Sequence, residues 1–335
     1  MIWVILIHSI FWSGLLKDHL IGISYLLIEM PIFFFITGAS NSLGSPKSLL
    51  QFYTSRLKRI MFPYWAYAIS CYFIIHITIN YFGQPADKLS LINWLFPYNT
   101  PWSNISYLNW HLWFIPAYLF VILFFPFLKL IYNKLNGPLK LLPPIILVAC
   151  LFFLDFHGFF INFIYIKHIL AYSLFSYLGF FYPNFKRTFK NLTYLSIFCA
   201  TCLLITYLLI NNGVYPVDMQ SNKFPPNTVF VLYNLGILSF LVIIKKHLLF
   251  FMNIFGIRHL IQVYATRGYS IYLFHPFSFI VMNFIILDFK LTNFESHPVL
   301  SVISFFIFIT LFNIVIAKLF GNIEKFDIKI LKRVK

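Results

Sequence analysis

The chain has 335 residues, of which 60% are hydrophobic, 21% are aromatic and only 10% are charged. A soluble domain carries about 25% charged residues, so this composition, with a mean hydropathy of +0.82, excludes a water-soluble globular protein. The net charge of +16 does not indicate a nucleic-acid partner, because the basic residues form short clusters between apolar blocks and not one polar face. The expected surroundings are membrane lipid.

Apolar residues fall into ten blocks that predict membrane-spanning helices, since a bilayer core about 30 Å thick requires about 20 such residues per helix. The stretch 248–266 is predicted to be a cytoplasmic or interfacial helix, because its polar residues make a full span costly. We expect an all-α, polytopic integral membrane protein with a single membrane-embedded domain over residues 1–335. The predicted spans are 1–16, 23–43, 60–79, 112–131, 141–156, 168–183, 192–210, 228–244, 269–287 and 299–319.

The distribution of Lys and Arg predicts the orientation of these spans. Of the 25 Lys and Arg residues, 20 fall in one set of alternate loops and in the C-terminal tail, and five fall in the other set. Cytoplasmic loops carry the excess of basic residues. This asymmetry predicts that the loop 47–59 and the basic tail 320–335 are cytoplasmic.

The first apolar block is short for a membrane span. Sixteen residues rise only about 24 Å at 1.5 Å each, and no basic flank precedes them. We therefore expect the first helix to be truncated at its N-terminus.

His8 and His275 lie inside predicted spans, where ionisable residues cost free energy and indicate function. His8 lies about 13 Å from the outer boundary and His275 about 12 Å from the inner boundary, so the two side chains are predicted to meet at similar depth. A neutral imidazole can accept a proton from a hydroxyl, which suits general-base chemistry. The alternative is that each histidine only hydrogen-bonds a neighbouring helix.

Glu29 is the acidic residue of the second predicted span. It could orient a histidine, bind sugar hydroxyls or pair with a basic group. On the cytoplasmic side, Arg56, Lys58 and Arg59 precede the third span. These cations either fix the topology alone or bind the phosphates of a nucleotide-linked donor.

Trp110, His111 and Trp113 open the fourth predicted span at the outer boundary. Aromatic residues at that position usually form the membrane-interface belt, but aromatic faces also stack on sugars. The two interpretations stay open for this cluster. No metal-ligand spacing occurs in the sequence, so we expect no metal ion.

Several blocks of the sequence, taken in order, resemble acyltransferase family 3, whose bacterial members O-acylate saccharides and other hydroxyl acceptors. Each block is largely apolar, so the specificity lies in the ordered set, which spans nearly the whole chain. The blocks are 2–9 (IWVILIHS), 30–38 (MPIFFFITG), 56–63 (RLKRIMFP), 111–114 (HLWF) and 269–276 (YSIYLFHP).

The resemblance implies an enzyme of the bacterial cytoplasmic (inner) membrane. It implies acetyl-CoA as the donor, bound from the cytoplasm, and a surface saccharide or lipid-linked glycan as the acceptor, presented at the outer face. By the same resemblance His8 is the catalytic histidine, Arg56 and Arg59 contact the CoA phosphates, and His275 lines the pathway. Two features differ from the family: its first-helix arginine would precede residue 1, and Glu29 replaces a histidine that many relatives carry.

Two other functions fit the same residues. A flippase or transporter for a lipid-linked saccharide would use His8, Glu29 and His275 to line a translocation path, and inverted repeats, which the sequence does not show, would favour it. A catalytically inactive accessory protein would fit the missing arginine. Labelled acyl transfer distinguishes the enzyme from both.

Overall fold

The structure is a computed structural model that describes residues 1–44, 48–78, 94–96, 106–157, 164–184, 192–253, 257–288 and 297–325. Within these ranges the regular elements are helices, and the only strand-like pairing is an isolated bridge between Lys223 and Pro226. The predicted all-α fold is therefore confirmed. Most of residues 80–111, between the third and fourth predicted spans, and residues 326–335 of the basic tail lie outside the described residues.

The predicted spans overlap the helices of the structure, although the second span comprises parts of two helices. In chain order the helices are α1 (Ile2–Ser13), α2 (Leu20–Ser24), α3 (Glu29–Leu43), α4 (Leu49–Thr78), α5 (Ser106–Trp110), α6 (Phe114–Lys134), α7 (Leu142–Phe156), α8 (Ile164–Gly179), α9 (Leu192–Asn211), α10 (Met219–Lys223), α11 (Thr228–Ile243), α12 (Lys245–Met252), α13 (Ile257–Thr266), α14 (Gly268–Asp288) and α15 (Pro298–Phe320).

Five helical stretches in the described part of the chain are long and apolar enough to cross a membrane. A sixth candidate is the pair α11 and α12, which is bent by 67° at its junction. The protein is thus a polytopic membrane protein, and the count of ten spans stays a prediction. The five stretches are Lys17–Leu43, Leu108–Lys134, Gly137–Phe156, Leu192–Asn211 and Pro298–Phe320.

Three local predictions differ from the structure. Helix α4 begins at Leu49, so the basic residues predicted to lie in a loop are helical, and residues 49–59 indeed contain no Gly or Pro to end a helix. The second predicted span is broken between α2 and α3, which makes Glu29 the first residue of α3. The predicted cytoplasmic or interfacial helix 248–266 comprises parts of two helices, α12 and α13.

The chain divides into two compact units, each discontinuous in sequence. The first unit comprises Met1–Lys17, Leu49–Tyr118 and Ile254–Lys335. In it α15 packs against α1 and α14 around a core of apolar side chains. The core residues are Ile5, Tyr264, Ile271, Phe279, Met282, Phe305, Ile309 and Ala317.

The N-terminus of α14 is capped by a residue distant in sequence. The carboxylate of Glu324 accepts a hydrogen bond from the backbone N–H of Ser270, and the guanidinium of Arg267 donates to the carbonyl of Ala317 at 2.6 Å. An acidic group at a helix N-terminus satisfies a backbone donor that the helix itself leaves unpaired. These contacts fix the start of α14, the helix that carries His275.

The second unit comprises Asp18–Ser48 and Leu119–Asn253. Its helices α3 and α8 meet at Gly38 and Gly179, where a Cβ added to Gly38 would lie 1.9 Å from the carbonyl oxygen of Ser176. Backbones can approach this closely only because both residues lack a side chain. The prediction of one domain for the whole chain stays a prediction.

One carboxylate ties three segments of the second unit together. Asp155, at the end of α7, accepts hydrogen bonds from Lys167 on α8, from the hydroxyl of Tyr215 and from the backbone N–H and hydroxyl of Thr228 on α11. Burial and the Asp155 carboxylate raise the pKa of Tyr215, which keeps its hydroxyl protonated as a donor.

Candidate active site

The site begins with a proline inside helix α14. Pro276 has no backbone N–H, so the carbonyl of Tyr272 lacks the donor that it would find four residues later in a regular helix. The imidazole Nδ1 of His275 lies 2.6 Å from this carbonyl oxygen. Since a carbonyl only accepts, Nδ1 of His275 carries the hydrogen and donates it.

The other nitrogen of His275 then determines the tautomer of His8. Nε2 of His275 lies 2.6 Å from Nδ1 of His8. With its hydrogen on Nδ1, a neutral His275 has the lone pair on Nε2, so Nδ1 of His8 must donate. The lone pair of a neutral His8 is consequently on its Nε2, the atom available to take a proton. The two histidines meet, as the sequence predicted from their depths.

Trp12 fixes the ring of His8 within an aromatic cluster. The rings of Trp12 and His8 stack with centroids 4.1 Å apart, and the ring of Trp12 lies 5.2 Å from that of His275. His275 is fully buried and His8 is half-buried. Because His8 and Trp12 are four residues apart on α1, both side chains lie on the same face of that helix.

A third histidine adjoins the pair. The ring of His111 packs edge-to-face on His275 with centroids 5.1 Å apart, and the hydroxyl of Tyr272 donates to the backbone carbonyl of His111. His111 is buried, and neither of its ring nitrogens meets the geometry of a hydrogen bond with another described residue. Tyr272 therefore holds two histidines, His275 by its carbonyl and His111 by its hydroxyl.

Helix α4 links this cluster to the basic residues. The hydroxyl of Tyr67 donates to the carbonyl of Leu108 at 2.7 Å, and its ring lies 5.5 Å from the ring of His111. Arg56 is eleven residues earlier on α4, hence about 16 Å away along the helix axis. Its guanidinium is half-buried, 3.5 Å from the hydroxyl of Tyr118 and over the ring of Phe52.

The remaining predicted residues of the first unit are Lys58, Arg59, Trp110 and Trp113. Lys58 is half-buried and Arg59 is exposed, both on α4. Trp110 ends α5 with 44% of its surface exposed, and Trp113 contacts the ring of Phe114. Trp110, His111 and Trp113 lie near the start of the apolar stretch Leu108–Lys134, as predicted, and the ring of His111 packs on His275.

Glu29 belongs to the second unit. It forms an ion pair with Lys223, and both side chains are buried. Pairing with a basic group was one of the three roles that the sequence left open for Glu29. The other two roles, orienting a histidine in catalysis and binding sugar hydroxyls, stay predictions.

Sequence reasoning missed three residues of these sites: Trp12, Tyr272 and Lys223. Trp12 could have been found from its spacing of four residues from His8, and Tyr272 from its spacing of four before Pro276. Nothing in the sequence pairs Lys223 with Glu29, 194 residues away. No group of His, Cys, Asp or Glu within the described ranges has the arrangement of a metal site.

A comparison with protein families agrees with the motifs. The model of acyltransferase family 3, described as an acyltransferase domain, matches residues 1–318 and thus nearly the whole chain. No curated protein and no solved structure gave a significant match. The match includes every residue of the histidine cluster and of the basic segment of α4. The chain therefore belongs to acyltransferase family 3 and is a membrane acyltransferase.

Proposed function

We propose that the protein transfers an acyl group, most simply acetyl, from acyl-CoA to a hydroxyl of a cell-surface saccharide or of its lipid-linked precursor. The supporting observation is the hydrogen-bonded series from the Tyr272 carbonyl through His275 to His8. It gives His8 a defined tautomer with a basic Nε2, as a general base for hydroxyl activation requires. His275 is the positioning residue, because it acts through His8.

The proposed reaction has two steps. Nε2 of His8 takes the proton of the acceptor hydroxyl. At the same time the hydroxyl oxygen attacks the thioester carbonyl carbon, forming a tetrahedral intermediate. The C–S bond then breaks, the acyl group stays on the acceptor oxygen, and the CoA thiolate takes the proton back from His8. His275 and the Tyr272 carbonyl stabilise the imidazolium of His8 between the two steps, as a hydrogen-bonded partner does in other acyl-transfer sites.

The donor is proposed to lie along helix α4. Acyl-CoA is extended, with phosphates at one end and the thioester at the other. Arg56 offers a guanidinium that can bind a phosphate bidentately, and Tyr67, about 16 Å further along the helix, contacts His111 beside the histidine pair. Lys58 and Arg59 would add positive charge near the phosphates. The spacing suits a donor that reaches from the basic residues to the histidines.

The proposed location is the bacterial cytoplasmic membrane, with the basic end of α4 and the C-terminus in the cytoplasm. The asymmetry of Lys and Arg supports this orientation, because cytoplasmic loops carry the excess of basic residues. It puts the basic residues on the side where acyl-CoA is made. The acceptor saccharide would then be supplied at the opposite face.

Transfer of labelled acetyl groups tests the proposal. Membranes that contain the chain, and matched membranes that lack it, are incubated with acetyl-CoA labelled in the acetyl group, and base-labile label is counted in the glycan and lipid-linked glycan fractions. Label that depends on the chain supports an O-acetyltransferase. Equal label in both membranes, with the chain well inserted, would contradict the proposal.

A further inference from the structure

The second unit contains an ion pair that the proposed reaction does not use. Lys223, the last residue of α10, donates to Oε1 of Glu29, the first residue of α3. Glu29 has 8% of its surface exposed and Lys223 has 4%. Ionised residues buried in membrane proteins are costly, and those that occur usually mark a substrate path or site. This pair therefore suggests a binding role.

Aromatic and polar residues of the second unit surround the pair. The Glu29 carboxylate interacts electrostatically with the hydroxyl of Tyr172 on α8. One turn earlier on α8, the ring of His168 lies 5.8 Å from that of Tyr172 and 6.5 Å from that of Phe224. The ammonium group of Lys223 lies 5.2 Å from the centre of the Phe224 ring. The buried ion pair is thus surrounded by a tyrosine hydroxyl and by aromatic rings.

The pair is electrically balanced but not fully hydrogen-bonded. Oε1 of Glu29 is bound by Lys223, whereas the buried Oε2 has no hydrogen-bond partner among the described residues. The oxygens of a carboxylate that is paired with an ammonium group accept hydrogen bonds and do not donate them. A buried acceptor normally has a donor. Oε2 is therefore a buried acceptor that can take a donor from a bound molecule.

We propose that Oε2 of Glu29 accepts a hydrogen bond from a hydroxyl of a neutral sugar, and that the Glu29–Lys223 pair is a saccharide-binding site. A hydroxyl supplies the missing donor, and the nearby rings can pack on the apolar face of a sugar. An anionic sugar fits poorly, because Lys223 is already engaged and the second carboxylate oxygen would repel it. Lys223 is a positioning residue that holds Oε1 of Glu29 and so directs Oε2.

This inference rests on the proposed function, since it assigns the chemical class of the acceptor. Its test nevertheless uses no donor and no acyl transfer, so that the two can fail separately. The chain is placed in lipid nanodiscs free of sugar detergents. Thermal unfolding is followed by tryptophan fluorescence during titration with octyl glucoside, octyl galactoside and octyl mannoside below their micelle concentrations. Octyl glucuronide is the anionic probe of equal chain length.

At least one neutral glycoside is expected to raise the unfolding temperature in a saturable way, and the glucuronide is not. Glu29→Asp keeps the charge, but its shorter side chain moves the second carboxylate oxygen away from the sugar. The dissociation constant of the neutral glycoside should therefore rise about tenfold or more, as expected for the loss of a hydrogen bond to a charged group. The double variant Glu29→Gln/Lys223→Met removes both charges and should abolish the shift. Lys129→Met removes the hydrogen bond from Lys129 to Asn41 in the same unit and should leave the shift in unfolding temperature unchanged.

Three results would overturn the inference. The first is the absence of a saturable shift with every neutral glycoside. The second is equal shifts in the parent chain and in Glu29→Asp, which folds with its charge intact and so remains informative if the double variant does not fold. The third is a larger shift with octyl glucuronide than with the neutral glycosides.

Discussion

Nδ1 of His275 lies 2.6 Å from the carbonyl oxygen of Tyr272, whose regular helical donor, the N–H of residue 276, is missing because that residue is proline. The proline inside the helix therefore helps to determine the tautomer of His275. A proline inside a helix costs about 3 kcal/mol. The hydrogen bond from His275 offsets part of that cost by satisfying the carbonyl whose regular helical donor the proline removes.

Pro276→Ala tests this relationship. Alanine restores a backbone N–H that competes with His275 for the Tyr272 carbonyl, so the tautomer is less firmly fixed. We expect acyl transfer to slow about tenfold, which corresponds to about 1.4 kcal/mol, while the unfolding temperature stays constant or rises. The rate of acyl transfer and the unfolding temperature are both measured on the same preparation. An unchanged rate in a well-folded variant would contradict the role given to the proline.

His275→Gln tests whether His275 acts through His8. Glutamine keeps a polar group at the position but does not support the imidazolium of His8 in the same way. We expect kcat to fall about 10²-fold, within the usual range for acid–base contributions, with little change in the KM for the donor. His19→Gln, which changes an exposed histidine of the second unit, serves as the control. A change confined to the donor KM would place His275 in donor binding instead.

Arg56→Gln tests the donor path along α4. Loss of a charged hydrogen bond to a phosphate costs about 1.5–3 kcal/mol, so the KM for acetyl-CoA should rise at least about tenfold with kcat nearly unchanged. Lys318→Gln, which removes an exposed cation from the end of α15, should leave both constants unchanged. Equal effects of the two substitutions would mean that only net charge matters and would remove Arg56 from the site.

Gly38→Ala tests the close packing of α3 and α8. The added Cβ would lie 1.9 Å from the Ser176 carbonyl oxygen and 3.1 Å from Cα of Gly179, so the helices must separate. Overpacking of this kind costs about 1–3 kcal/mol or more. A lower unfolding temperature is the expected result. Gly22→Ala, where nothing lies within 4 Å of the new Cβ, should be tolerated, and equal stability of both variants would contradict the packing described.

The helices and the meeting of His8 with His275 could be predicted from the sequence. Long apolar blocks require helices in a bilayer, because every backbone group must be satisfied within the segment. Ionisable residues inside a membrane tend to pair with one another, so two of them at similar depth are expected to meet. The extension of α4 through Arg56 was missed, because polar residues beside a membrane look like a loop although their helix propensity is high.

The ion pair of Glu29 could not be predicted from the sequence. Its partner Lys223 is 194 residues away, in a segment that reads as a loop. The pairing depends on how α10 packs against its neighbours in the second unit, and periodicity carries no information about such tertiary contacts. The break between α2 and α3 was missed as well, because residues 25–28 are as apolar as the helices on either side.

The most direct test of the central claim compares His8→Ala with the parent chain in the labelled acetyl transfer. His247→Ala, which changes an exposed histidine on α12, is the matched control. We expect His8→Ala to lose base-labile label in the glycan fraction while its amount in the membrane and its unfolding temperature stay near those of the parent, and His247→Ala to keep full transfer. Transfer retained by a well-folded His8→Ala would remove His8 from the chemistry and contradict the account.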